Sequence, residues 1–255
     1  MLATRPDQRL AGLPGEFAQP DPPDVRGDFE VHLTVGPGAA EALAAWAGGH
    51  GLKFTHILLE RGASPSQPML TLRAAGTVQE VAAVTARTAG RLAADGFTVL
   101  RAKIEATPWA QGVPASDEAA ARHGVGRYFE HHVKLLLPAP DPDPAADRAR
   151  RDGLAALVER HDAHLSRNPR RVREDGRREW FVTQRCRLVG LATAGDRLDA
   201  LLHDLAADDL AADGRDVVSV EREFVVVDSD ETLDAGWITE HGRHRAGPYG
   251  EGDPR

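Results

Sequence analysis

Apolar and polar residues alternate through residues 29–35 (FEVHLTV), so that Phe29, Val31, Leu33 and Val35 share one face and Glu30, His32 and Thr34 the other. A period of two marks a half-buried strand. An Ala-rich stretch over 39–47 predicts a helix, KFTHILLE (53–60) a second strand and PMLTLRA (68–74) a third, which Gly76 ends. Thr77 can cap a helix running to about Ala94, with Val81, Val84 and Leu92 facing inward and Gly96 ending it. A fourth strand, FTVLRAKIEA, sets Leu100, Ala102 and Ile104 opposite Arg101, Lys103 and Glu105.

After a Gly-, Ala- and Pro-rich connector over 110–127 the same order starts again. Phe129, His131, Val133 and Leu135 alternate with Glu130, His132 and Lys134, in the pattern of 29–35. His132 then matches His32, His164 matches His56, Gly190 matches Gly76 and Glu223 matches Glu105, at offsets of 100, 108, 114 and 118. Offsets that rise in small steps along a collinear match are what duplication leaves behind. The fold class expected is α+β, a tandem duplication of a ferredoxin-like βαββαβ unit. The repeats span 28–109 and 128–238, with flexible tails at 1–27 and 239–255. Two antiparallel sheets, packed face to face, would form a pseudo-dimeric, barrel-like body with a polar interior.

With helices over the apolar face of each sheet, the other face presents Glu30, His32, Thr34, Thr71, Arg73, Arg101, Lys103 and Glu105 in the first unit. In the second it presents Glu130, His132, Lys134, Thr183, Arg185, Arg187, Glu221 and Glu223. His56 and His164 are expected to join them from the second strands. Carboxylates beside imidazoles suit acid–base work or a divalent metal, while Arg and Lys suit phosphate or carboxylate. The catalytic candidates are therefore His32, His132, Glu105 and Glu223. Those for substrate are Thr34, Arg73, Lys103, Lys134, Arg185 and Arg187. The metal candidates are His32, His132, Glu105, Glu221 and Glu223, and a divalent metal is the candidate cofactor.

Three resemblances accompany these residues. His32-Leu-Thr34 and His164-Leu-Ser166 resemble the paired His-x-Thr/Ser motifs of the 2H phosphoesterases, which implies imidazoles as acid and base and hydroxyls on phosphate. Glu130-x-His132-x-Lys134 and Glu221-x-Glu223 resemble the alternating charges of the triphosphate tunnel enzymes, which act on triphosphates with a metal. Paired His and Glu from two repeats are similar to the vicinal-oxygen-chelate enzymes, although those use βαβββ units, a topology different from the one read here.

Charge and composition narrow the field. With 31 basic against 39 acidic residues and a formal charge of -8, the chain is not held to nucleic acid or a membrane surface by bulk electrostatics. The single cysteine, Cys186, excludes an internal disulfide and falls on the apolar side of its strand. The start, MLATR, lacks the apolar run of a signal peptide, and no stretch approaches the roughly eighteen apolar residues of a span. The expected compartment is the cytoplasm. Arg167, Arg170, Arg171, Arg173, Arg177 and Arg178 suggest a basic hairpin that gathers an anion. The acidic run Asp228, Asp230, Glu231 and Asp234 reads as solvated loop, pinned by Trp237. The function expected is an enzyme acting on a small anionic substrate, with phosphate-ester or nucleotide chemistry favoured. A His/Glu metal-centred oxygenase or lyase, and a non-catalytic ligand-binding or scaffold protein, are the alternatives.

Overall fold

The computed structural model describes residues 24–207 and 214–238. The C-terminal tail expected over 239–255 lies outside them, as does the N-terminal tail up to residue 23. The chain is ordered earlier than expected, because Val25 is fully buried and the first strand begins at Arg26.

The elements run β1 (Arg26–Val35), α1 (Ala40–Gly49), β2 (Lys53–Leu59), β3 (Ser66–Thr77), α2 (Val78–Ala94) and β4 (Val99–Ala106). After α3 (Asp117–His123) come β5 (Tyr128–Leu137), α4 (Pro144–Glu159), β6 (Ala163–Val172), β7 (Arg178–Arg187), α5 (Leu191–Ala207) and β8 (Asp216–Asp228). The connector over 110–127 thus holds a helix that its small residues did not announce. Ser116 caps α3 by accepting from the Ala119 amide.

All strand pairs are antiparallel, and the order β1-β3-β2-β6-β7-β5-β8-β4 closes on itself as a barrel. The two four-stranded sheets do not stack face to face. They join edge to edge, through β4 with β8 and through a short β2–β6 contact, Leu58 to Arg167 and Leu59 to Ser166. The polar faces become the inner wall of one barrel, and the apolar cores lie outside it under the helices. One core gathers Val31, Leu33, Leu70, Ile104 and Leu92 beneath α1 and α2; the other gathers Val133, Leu157, Leu165, Val182 and Leu198 beneath α4 and α5. Each fully buried side chain of this size stabilises the fold by about 1.5–3 kcal/mol.

Strand register corrects one pair of expected partners. Phe54 lies opposite Leu70 on the helix side, and His56, two residues on, shares that side. It bonds Ser66 Oγ at 3.0 Å, and burial together with Arg170 holds its pKa below the ordinary value. His164 instead lies opposite Thr183, facing into the barrel and 3% exposed. The counterpart of Thr183 by register is Thr71, and the β2 residue beside Thr71 is Lys53, not His56.

Candidate metal centre

Two imidazole–hydroxyl pairs hang from the inner wall. In the first half β1 and β3 set His32 against Thr71, with Nδ1 2.9 Å from the hydroxyl. In the second β5 and β7 set His132 against Thr183 at 3.1 Å. Both rings therefore turn Nε2 toward carboxylates. His32 Nε2 meets Glu105 Oε2 at 3.0 Å; His132 Nε2 lies 3.2 Å from Glu130 Oε1 and 3.4 Å from Glu223 Oε2. The glutamates come from the register itself, because Glu30 faces Glu105 across β1–β4 and Glu130 faces Glu223 across β5–β8.

One oxygen each of Glu105 and Glu223 and one nitrogen of His132 lie within 4.8 Å of one another. Lys103 Nζ stands 2.6 Å from Glu105 Oε1 and forms a buried ion pair with it. Lys103 also pairs with Glu130. Burial opposes ionisation of Glu105 and Glu130. Lys103 beside both, with His32 on the first and Arg185 on the second, nonetheless holds each well below the carboxylate range. Glu223 is pushed up to about 7, first by burial and then by the Glu105 carboxylate. Burial would discharge His132, but the bonds to Glu130 and Glu223 outweigh it and raise the ring to about 10. His32, His132 and Glu223 keep 18%, 22% and 17% side-chain exposure, against 1% for Glu105 and Glu130. Solvent therefore reaches the centre past the two imidazoles and Glu223.

The opposite end is closed by the acidic run, which is not a solvated loop. Asp228 takes Arg101 in a two-pronged bond (2.8 and 2.5 Å) and accepts from Tyr128 Oη at 2.9 Å. Asp234 sits between Arg101 Nη1 and Arg185 Nη2, at 2.9 and 2.5 Å, and also accepts from Gln67 Nε2. The chain after β8 crosses to the β2–β3 hairpin, where Ala63 donates to Ala235, and Trp237 Nε1 donates to the Leu165 carbonyl. Trp237 anchors the segment as expected.

The remaining predicted residues are dispersed. Lys103 and Arg185, expected to hold a substrate anion, are each committed to two carboxylates. Arg73 is 86% exposed and pairs with Glu30, which Lys53 also meets, so it sits at the rim and not inside. Lys134 is half-buried over the Phe181 ring, 3.9 Å from Glu179. Arg187 lies against the Tyr128 ring and Glu231, toward the closed end. Thr34 is buried, in register with Met69 and Arg101. Glu221 is exposed and stands outside the converging group. Of the two His-x-Thr/Ser motifs, His32 bonds Thr71 and Glu105 while His164 meets Arg61 and the Trp237 ring, so the imidazoles serve different surroundings.

Sequence reasoning passed over Glu130, Arg101, Asp228 and Asp234 as site residues. Glu130 and Arg101 were legible by parity. Asp228 was hidden by a bulge, since β8 shifts register against β4 between the partners of Ile104 and Glu105 and thereby turns Asp228 inward.

No protein-family model matches the chain, and no curated protein does. Among solved structures, a chlorite dismutase variant from Candidatus Nitrospira defluvii aligns at a TM-score of 0.28 and 13% identity, covering 82% of this chain and 95% of that one. The acetolactate synthase small subunit from Thermotoga maritima aligns at 0.26 and 13%, covering 79% and 95%. Likeness this slight identifies neither a family nor an activity. No helix among the described residues is long and apolar enough to cross a membrane.

Proposed function

We propose that the protein is a divalent-metal-dependent enzyme whose metal is held by Glu105, His132 and Glu223 inside the barrel. The observation that carries this is the convergence of those three donors, whose ligating atoms lie within 4.8 Å of one another. A mixed imidazole and carboxylate set with open positions suits zinc, manganese or iron. Thr183 would fix the His132 tautomer that leaves Nε2 free to ligate, and His32, tied to Glu105, would orient that carboxylate from behind. When bound, the metal would polarise a substrate oxygen or activate a water. A small anionic substrate would enter past Glu30, with Arg73, Lys53 and Lys134 meeting its charge. Oxygenase or lyase chemistry suits this arrangement better than phosphate-ester chemistry, because Lys103 and Arg185 are already neutralised.

The duplicated origin belongs to the same reading. Both halves run strand, helix, strand, strand, helix, strand, and each first–fourth strand ladder shifts register at the corresponding place, Thr34/Val35 and Lys134/Leu135. Such a barrel would be a pseudo-dimer in one chain, and its single buried cysteine is in keeping with the cytoplasm.

Metal-free protein prepared without an affinity tag should bind one manganese or zinc ion per chain in a calorimetric titration. His132→Ala and Glu223→Gln should each weaken that binding at least tenfold. Binding equal to wild type in both variants, or no binding at all, overturns the proposal. The second reading, a barrel held shut by its own salt bridges, would then stand; Lys103, bridging Glu105 and Glu130, favours it.

A further inference from the structure

We infer that a cleft on the outside of the barrel, between α4 and the outer face of β6 and β7, binds a small polyanion of the diphosphate type. The cleft holds about 180 Å³, and four arginines line it, Arg150 and Arg151 from α4, Arg167 from β6 and Arg178 from β7. The carboxylate in its wall is Asp147, and Trp180 forms its aromatic side.

The four guanidiniums divide into two kinds. Arg150 and Arg151 are held by Asp147, at 4.0 and 3.3 Å, and Arg150 also reaches Asp141 at 3.5 Å. Arg167 and Arg178 have no carboxylate within ion-pair distance among the described residues. Their position is unusual. Arg167 continues the outward row of Ala163 and Leu165, and Arg178 that of Trp180 and Val182, rows that elsewhere supply the core. Register places Arg167 directly opposite Trp180, so the two cationic side chains flank one indole. A guanidinium beside apolar wall gains most from a ligand that accepts two hydrogen bonds at once, as phosphate oxygens do. The volume is below the ~300–1,000 Å³ of drug-sized sites, which favours a diphosphate over a whole nucleotide.

This site does not depend on the metal centre. Arg170 and Arg177, the neighbours of these residues in the basic run, are bound elsewhere, to Glu41 and Asp216. Pyrophosphate titrated into the full chain should bind once per chain and change tryptophan fluorescence, a change that Trp180→Phe removes. The double variant Arg167→Ala/Arg178→Ala should lose at least tenfold in affinity by calorimetry, while His132→Ala binds as wild type. Arg178→Gln alone, at an exposed position, should lose several-fold with circular dichroism unchanged, which guards against a folding defect in the double variant. Wild-type affinity in Arg178→Gln and the double variant, or no heat with pyrophosphate, overturns the inference.

Discussion

Asp234 shows how little the character of a residue in sequence says about its role once the chain is folded. It belongs to a run of four acidic residues that reads as solvent-facing, yet it is 3% exposed and joins Arg101 to Arg185. Removing one member of such a buried cluster leaves the others uncompensated, so Asp234→Ala should lower stability by about 3–5 kcal/mol in urea unfolding. Asp230→Ala, which removes only a local cap on Thr232, should lose far less. Equal losses would show that Asp234 acts as a loop residue. What was legible at this scale followed from parity: Glu30, His32, Glu105, Glu130 and His132 could be put on one face because they alternate with apolar residues along β1, β4 and β5, and Glu223 because it precedes the bulge of β8. His56 could not, because β2 carries apolar residues on both parities (Phe54, Ile57, Leu58) and the choice of face rests on pairing that a single strand does not reveal.

At the scale of elements, capping chemistry was readable and packing was not. Thr77 caps the start of α2 as expected, and Glu80 makes the cap reciprocal, with Glu80 N to Thr77 Oγ1 at 3.2 Å and Thr77 N to Glu80 Oε2 at 2.8 Å. The two glycines aligned by sequence are needed for different reasons. A β-carbon on Gly76 would meet the Glu80 carboxylate at 2.5 Å, whereas on Gly190 it would meet the backbone of Ser116 at 2.5 Å. Gly190 thus lets α3 close on the start of α5, where its amide donates to Asp117 at 2.7 Å. Backbone cannot swing aside as a side chain can. Gly190→Ala should therefore destabilise by about 1–3 kcal/mol, as overpacking does, and thermal unfolding would report it. An unchanged melting temperature would mean that α3 is loosely attached. Because α3 lies in a connector with no counterpart after the second unit among the described residues, no internal comparison could have exposed it.

Taken whole, the molecule places its hydrophobic cores outside and an ion network at its axis, and such a network must answer to acid. Arg101 and Arg185 keep their charge at every accessible pH, so the pH dependence rests with the carboxylates between them. Burial favours the neutral form of Asp234, but Arg101 and Arg185 outweigh it and hold the pKa at about 2 against an ordinary 3.8. The folded pKa lies below the unfolded one, so the unfolded chain takes up the proton first. The stabilisation is complete above about pH 4 and is lost as pH falls through 2. A difference of this size corresponds to about 2 kcal/mol. Asp228, Glu105 and Glu130, also held low, act in the same direction. Denaturant unfolding measured from pH 5 to pH 2 should then show stability falling steeply in the wild type and less steeply in Asp234→Asn. The isosteric amide removes one of the groups that must be protonated, and also the charge that paired both arginines. The variant should therefore begin less stable at pH 5 and converge on the wild type near pH 2. Parallel curves would mean that Asp234 does not carry the charge that closes the barrel.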